Sequence, residues 1–565
     1  MLNYYLNFGT KTSLKTNAAY QSGKVGNSRI DFNGGINPSP TSYQKLPSFW
    51  IDKGNLTLAY EAEKRFVNDG QLDWKMLYRA NLNNASLGKN ASYVFYEDRN
   101  DDSRFSINTI FETQLKDHVM LNAKLEYRNL SSDNFASVID LLGGNGYLDI
   151  NRFAPINSDE RQNDLLNPNR VVASGDRFKY NYKLKAAVFN TFLQAQLNYD
   201  CFDFYIALKG TKTMYQRVGG FQNGKFAENS IGKSRKIDFT NYSGKMGIIY
   251  KVTGRHILDF NLGHISRAPL IKNTFSNARE NNAVVVGLES EKILSTDINY
   301  IFRSPICKAK VTGYFTKIKD ATNRNFYFLQ TSANESFVQE IVTGIEKNHL
   351  GAEVGVEVDI TPTLKLKGAT NIGQYSYSKN PELYITSEDF VNDKNALGIN
   401  YLGKTYLKNY KVPSGPQKAS SVGFEYRDPD YWWFGTTVNF LDDIFINVSP
   451  ITRSEAFLKD ADGLPFNHYD PSVARELLRQ EKFDGYTLVN LSGGKSWKMG
   501  EYYFGMFATV NNLLNEKFKT GGFEQSRRSD YIELLKESKR EKRLFGPKYW
   551  FGRGATYFLN LYFRF

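Results

Sequence analysis

Long apolar runs are missing from this 565-residue chain. A membrane-spanning helix needs roughly 18 consecutive apolar residues, and no stretch comes near that, so a helical membrane protein is excluded. Cysteine is almost missing as well. Cys201 and Cys307 are the only two, too few for a disulfide framework or a cysteine-based zinc site, and they read as isolated thiols. Histidine is limited to His118, His256, His264, His349 and His468. A hydrolase needs a histidine converging with an acid and a hydroxyl at one place, and no such grouping is visible. The chain therefore reads as a non-enzyme, with no cofactor and no metal.

Aromatic residues, by contrast, are abundant at 15%, mostly 36 Tyr and 41 Phe, and there are 44 Gly. Lys and Arg total 72 against 59 Asp and Glu, a net charge of +13. The cations are scattered through the chain and track no single element, so nucleic acid is not the expected partner. An anionic lipopolysaccharide surface or a lumen that conducts anions accounts for the excess.

The strongest positive signal is period-two alternation from end to end. Ala352, Val354, Val356, Val358 and Ile360 alternate with Glu353, Gly355, Glu357 and Asp359. Leu364, Leu366, Gly368 and Ile372 interleave with Lys365, Lys367, Ala369 and Asn371. Strands buried on both faces would be apolar throughout, whereas these have one apolar and one polar face. The strand-like segments pair across tight turns near Gly9-Thr10, Lys116-Asp117, Asp200-Cys201, Thr253-Gly254, Ser304-Pro305, Thr361-Pro362, Asp428-Pro429 and Met499-Gly500. Long polar stretches separate the pairs: roughly 24–102, 130–180, 218–237, 268–290, 319–349, 377–417, 441–484 and 513–553. Strict alternation of short turns and long loops is the pattern of an outer-membrane barrel. The fold class is all-β, a transmembrane antiparallel β-barrel of about 17 strands. About five more would complete the roughly 22 strands of plugged transporters. Met1-Leu2-Asn3-Tyr4-Tyr5 enters a strand without a signal-peptide pattern. The expectation is one barrel domain over 1–565, truncated at its N-terminus.

At the other end, Tyr557, Leu559, Leu561, Phe563 and Phe565 share one face of the last strand. The pattern resembles the signal that outer-membrane proteins present to the barrel-assembly machinery. Two other motifs mislead. Ala227–Ser234 has loose phosphate-loop spacing but leads into an alternating strand, not the helix such a loop needs. The acidic run Glu97–Asp102 fails the calcium-loop register at Ser103 and Thr109 and reads as a solvated turn.

Ser266-Arg267-Ala268-Pro269, Leu288-Glu289-Ser290-Glu291 and Asp297-Ile298-Asn299-Tyr300 follow in order, and later comes Val510-Asn511-Asn512-Leu513-Leu514-Asn515. With Phe565, this ordered set resembles the TonB-dependent receptors, and the texture is similar to members from Bacteroidetes. The resemblance implies an outer-membrane receptor that imports a scarce nutrient with energy from the TonB complex. The partners it implies are outer-membrane lipid and lipopolysaccharide, the barrel-assembly machinery and a small-molecule, glycan or peptide ligand. The family's plug domain and TonB box have no counterpart here. The ending typical of the starch-utilisation type is also missing, which favours a receptor outside that subgroup. Ligand contacts are expected from the outer loops, at Arg267, Arg279, Phe523, Gln525 and Arg527. The alternative is a passive porin-type channel.

Overall fold

The structure is a computed structural model that describes residues 1–565 except 333, 334, 414 and 461. Its 20-stranded sheet includes three short extensions, Gly232–Lys233, Glu382–Thr386 and Ile399–Lys404. The other seventeen strands pair antiparallel, each with the next along the chain. The first eight are β1 (Leu2–Phe8), β2 (Thr12–Phe32), β3 (Tyr93–Lys116), β4 (Val119–Asp140), β5 (Arg177–Asn198), β6 (Phe202–Gly219), β7 (Ile237–Lys251) and β8 (His256–Arg267). Then come β9 (Glu291–Arg303), β10 (Cys307–Gln330), β11 (Glu335–Asp359), β12 (Leu364–Tyr377), β13 (Lys418–Arg427) and β14 (Trp432–Asp442). The last three are β15 (Tyr486–Met499), β16 (Tyr502–Asn511) and β17 (Thr556–Arg564). Each tight turn expected from the sequence joins two of these strands. Among the described residues β1 pairs only with β2, and β17 only with β16, so the sheet has two free edges.

Alternation translates directly into the two faces. Leu350, Ile372 and Val422 point outward and are 55%, 57% and 59% exposed, a surface suited to hydrocarbon and not to water. Polar partners line the other face. Lys365 Nζ lies 2.8 Å from Glu357 and Lys367 Nζ lies 2.8 Å from Glu425. Between β8 and β9, the Asn261 amide donates to Asp259 and Asp297, both at 3.0 Å. Beside the short turns, Phe202 stacks on Tyr250 with centroids 4.6 Å apart, and Tyr426 lies 5.1 Å from Trp432. These pairs sit where an interfacial aromatic girdle belongs.

Three expectations need correction. Residues 319–349 are not a loop: β10 and β11 continue to Gln330 and from Glu335 as one long hairpin. Register shifts between Ile318, Ala321 and Asn323 interrupt the alternation there, and a bulge reverses which face a residue takes. The Glu97–Asp102 run is not a turn but lies inside β3, paired with both β2 and β4. The long connections are not structureless either. The first carries α1 (Pro47–Asp52), α2 (Leu56–Asn68) and α3 (Trp74–Ser86), and later ones carry α4 (Pro471–Leu477) and α5 (Tyr531–Ser538). Asn55 and Asp73 cap α2 and α3 by accepting from the Leu58 and Met76 amides. None of the described helices is long and apolar enough to cross a membrane.

The apolar core lies at this outer end. Leu329, Val338 and Val342 of the long hairpin pack against Leu383, Leu407, Val448 and Ile451 of later connections. Leu184 of β5 meets Phe275 and Ala278 of the 268–290 connection on its inward side. The connections thus fold against the strand ends and hold a fixed vestibule over the barrel mouth.

Candidate ligand-binding cavities

Two cavities open within that vestibule. The first, about 310 Å³, is bounded by the outer ends of β2, β5, β10 and β11 and by the connections that follow β2, β4, β6, β8 and β12. Its wall begins with local backbone geometry. Lys179 has φ +61° within β5, a conformation uncommon for a side chain with a Cβ. Its amide donates to Asp149 Oδ1 at 2.9 Å, and Arg170 holds the other Asp149 oxygen at 2.8 Å. Held this way, Lys179 Nζ reaches Asp31 at 3.0 Å, and the Tyr147 hydroxyl donates to the same Asp31 oxygen at 3.1 Å. Burial and the Asp31 charge push the Tyr147 hydroxyl well above its ordinary pKa, so it stays a donor.

Aromatic rings face the opening. Phe153, Phe337 and Phe326 form a ladder with centroid separations of 5.3 and 5.6 Å. Phe153 is 64% exposed and Phe326 is 60% exposed. Arg152 lies over Phe32 at 3.6 Å and over Phe153 at 4.7 Å. Glu280 and Glu388 line the same space. Burial first, and then repulsion from Glu388, raises the Glu280 carboxyl to about 8. Burial also raises Glu388, which accepts from the Asn151 amide at 2.9 Å.

Phe326 also borders the second cavity, about 580 Å³. Here the Arg527 guanidinium sits among three rings, 4.9 Å from Tyr43, 4.7 Å from Phe328 and 4.3 Å from Phe545. Gln525 donates to the Gly546 carbonyl at 2.7 Å, and Phe523 meets Trp550 at 5.8 Å.

The structure therefore brings Phe523, Gln525 and Arg527 together on one cavity and sets Arg279 on the other. Arg279 lies over Tyr180 at 4.4 Å and 3.3 Å from Asp98. Asp98, from the acidic run, also binds Arg29 at 2.8 Å and accepts from Tyr180 at 2.7 Å. Arg267 lies apart at the end of β8, paired with Glu291 at 2.6 Å. Sequence reasoning missed Phe326 and Phe337 because 319–349 read as a loop, and Phe153 because it reaches them from the distant connection after β4. The one available signal was that Glu280 follows Arg279 in an Asn-rich loop. Ala227–Ser234 leads into β7 and not into a helix, and its Ser230 carbonyl and Ser234 hydroxyl accept from Arg217 at 2.7 and 3.0 Å. Among the described residues no group of three or more His, Cys, Asp or Glu side chains could hold a metal ion.

A family model described as "TonB dependent receptor-like, beta-barrel" matches residues 2–513. The chain belongs to the TonB-dependent receptor β-barrel family. No curated protein matches it in sequence. Among solved structures, the siderophore receptor PiuA from Acinetobacter baumannii is similar, with TM-score 0.55 and 11% identity over 99% of this chain and 63% of that one. Copper transporter OprC gives TM-score 0.54 and 12% identity over 98% of this chain and 63% of that one. Ferric citrate transporter FecA, unliganded, gives 0.54 and 8% over 100% and 60%. At such identities the likeness concerns the fold alone. The chain spans about three fifths of the length of these structures. As a TonB-dependent receptor barrel, it is an outer-membrane protein that crosses the bilayer with strands.

Proposed function

We propose that this receptor captures a scarce nutrient in its outer vestibule and passes it inward through TonB-coupled active transport. The observation that carries the reading is the vestibule: two cavities walled by connections that fold onto the strand ends, above a polar barrel interior. Outer-membrane barrels hold a water-filled channel in porins and a plugged interior in others, and here the connections pack an apolar core at the outer strand ends.

The two unpaired edges support a further part of the reading. Unpaired backbone groups in hydrocarbon cost several kcal/mol each. We therefore infer that the working barrel is closed by strands beyond these seventeen, and that 1–565 is one barrel domain. Arg279 on the first cavity, and Phe523, Gln525 and Arg527 on the second, are the proposed ligand contacts. Arg267 is kept as a rim contact. Tyr557, Leu559, Leu561 and Phe563, with Phe565 after them, stay outward and exposed on the last strand, a surface open to the assembly machinery, lipid and lipopolysaccharide.

The test compares cells carrying the gene with a deletion strain, each with and without a working TonB complex. Accumulation of a panel of labelled external solutes is measured. Uptake of at least one solute is expected to require both the gene and TonB. Uptake that persists without TonB and rises linearly with concentration would establish a passive channel instead.

A further inference from the structure

One patch on the outer wall of the barrel carries cations that the chain leaves without partners. Along β5 the register keeps odd residues outward from 183 to 197. Phe189 and Leu193 are exposed on that face, while Asn190 is buried on the other and accepts from Thr211. Lys185 shares the parity of Phe189. Lys212 of β6 stands opposite Phe189, and Gln216 stands opposite Lys185. Lys233, on the short extension Gly232–Lys233, is reached from Lys183 through Val218. Lys183 lies 3.9 Å from Asp133, which Arg177 holds more closely at 3.0 Å. Among the described residues the side chains of Lys185, Lys212 and Lys233 make no ion pair or hydrogen bond, nor do those of the exposed Arg235 and Lys236. Asp238, opposite Met214, is the one carboxylate at the outward positions of β5, β6 and β7. Set against Asp238 and the exposed Glu228 of the neighbouring connection, the five cations remain in excess.

Elsewhere on the outer wall, cations come with acids. Arg99 lies 2.9 Å from Asp101 and 3.4 Å from Glu97, Lys292 lies 2.9 Å from Asp320, and Lys317 and Lys379 share Glu346. Height decides what the unpaired patch meets. From Phe202 at its short turn to Lys212 is ten residues of β6, about 25 Å of rise for a strand tilted by about 40°. That is the height of the apolar band. Exposed Ile206 and Leu208 fill the span, and Tyr242, 72% exposed, closes it opposite Gly210. Lys212 therefore stands where hydrocarbon ends, with Phe189 beside its stem. Lys185, Lys183 and Lys233 follow above it, in the headgroup layer. Lysine suits this boundary, because its stem runs along apolar surface while the ammonium stays in polar surroundings.

We propose that this outward face of β5, β6 and β7 is a binding site for the phosphate groups of lipopolysaccharide, the glycolipid of the outer leaflet. Ammonium groups bind phosphate as point charges. Lysines spread over two levels therefore suit a headgroup with several phosphates better than one small anion. The acyl chains lie below, along Leu193, Leu208 and Met246, all exposed on the same face. The patch points away from the lumen, so it takes no part in the path of an imported solute. Each cation beside an anionic membrane surface changes affinity about fivefold, and salt weakens the attraction. The inference rests on the outer-membrane placement of the barrel and not on the transport reading.

The experiment uses the full-length protein, purified from outer membranes in detergent and washed free of lipid at high salt. Probes are lipopolysaccharide with its phosphates, the same lipopolysaccharide after enzymatic dephosphorylation, and inorganic phosphate. The phosphorylated form is expected to bind saturably, about tenfold or more tightly than the dephosphorylated form, and more weakly as sodium chloride rises. Millimolar inorganic phosphate is expected to leave it in place. The triple variant Lys185→Gln/Lys212→Gln/Lys233→Gln is expected to lower affinity about tenfold or more. Lys292→Gln, whose cation already has its acid, is expected to change nothing. If the triple variant assembles poorly, the two lipopolysaccharides compared on the unaltered protein decide the matter. Equal binding of the two forms, displacement by inorganic phosphate, or an assembled triple variant that binds as the unaltered protein does would overturn the proposal. TonB-dependent uptake is a separate measurement, so the receptor reading would survive those results.

Discussion

Lys179 Nζ lies 3.0 Å from Asp31 Oδ2, joining β5 to β2 across the two strands between them. The contact depends on the left-handed backbone at Lys179, φ +61°, which turns the side chain back over the sheet. Strain of this kind costs on the order of 1–3 kcal/mol and persists only when surrounding contacts fix it. Asp149, Asp31 and Tyr147 supply those contacts here.

Replacing Asp31 with Asn should therefore loosen the wall of the first cavity. The pair is only partly shielded, with the Lys179 side chain 34% and the Asp31 side chain 19% exposed, so the expected cost is about 1 kcal/mol. Amide hydrogen exchange should speed up at residues 177–180 and stay unchanged in β12 to β14. Unchanged exchange at 177–180 would mean that Asp149 alone holds the bend.

Glu280 should make the 268–290 connection sensitive to pH. Its carboxyl is raised to about 8, by burial first and by Glu388 second. In an unfolded connection it would ionise near its ordinary 4.5. A raised acid favours the folded connection below the ordinary value, and this contribution is lost as pH climbs through about 8. Proteolytic nicking between 268 and 290 should therefore accelerate in alkali relative to Glu280→Gln. The two proteins should be nicked at the same rate near pH 4, and a constant ratio across pH would refute the burial argument.

Much of the barrel was legible because lipid imposes a strict local rule. Val354 and Val356 must face hydrocarbon, so Glu353 and Glu357 must face the interior, and the period shows in the letters. Short turns were equally visible, since Thr361-Pro362 and Asp428-Pro429 carry their own backbone preferences. The rule stops where strands leave the membrane. At Ile318, Ala321 and Asn323 the register slips, and beyond it Leu329, Val338 and Val342 bury against the connections instead of lipid. Their pattern then matches neither a wet loop nor a membrane strand, which is why 319–349 read as a loop. The cavity was hidden for a related reason: Phe326 and Phe337 lie in that same hairpin, and Phe153 reaches them only through tertiary packing. Phe523, Gln525 and Arg527 fall within five residues, so one local segment placed all three on the same wall.

Arg527 should matter through its plane as much as its charge. Rings of Tyr43, Phe328 and Phe545 surround it at 4.3 to 4.9 Å, and its Nε donates to Gln330 at 3.1 Å. Arg527→Lys keeps the charge but loses the flat guanidinium that packs against rings. Both Arg527→Lys and Arg527→Ala should destabilise the connection from 512 to 555, by about 1–2 kcal/mol, as read from protease resistance. Full rescue by lysine would show that charge alone is at work.

The free edges give the most direct test of barrel closure. Tyr4 on β1 pairs with Thr16 of β2, and Leu561 on β17 pairs with Met506 of β16. Neither has a partner on its other side among the described residues. If the working barrel includes further strands, these two edges are held apart by them. Tyr4→Cys with Leu561→Cys, in a Cys201→Ser/Cys307→Ser background, should then form no disulfide in membranes under oxidation. A disulfide needs Cα atoms within about 7 Å, which only directly adjacent strands provide. Efficient crosslinking would show that β1 and β17 meet and that seventeen strands close on themselves. Added strands would then have no place, and the passive channel would become the better reading of the same sheet.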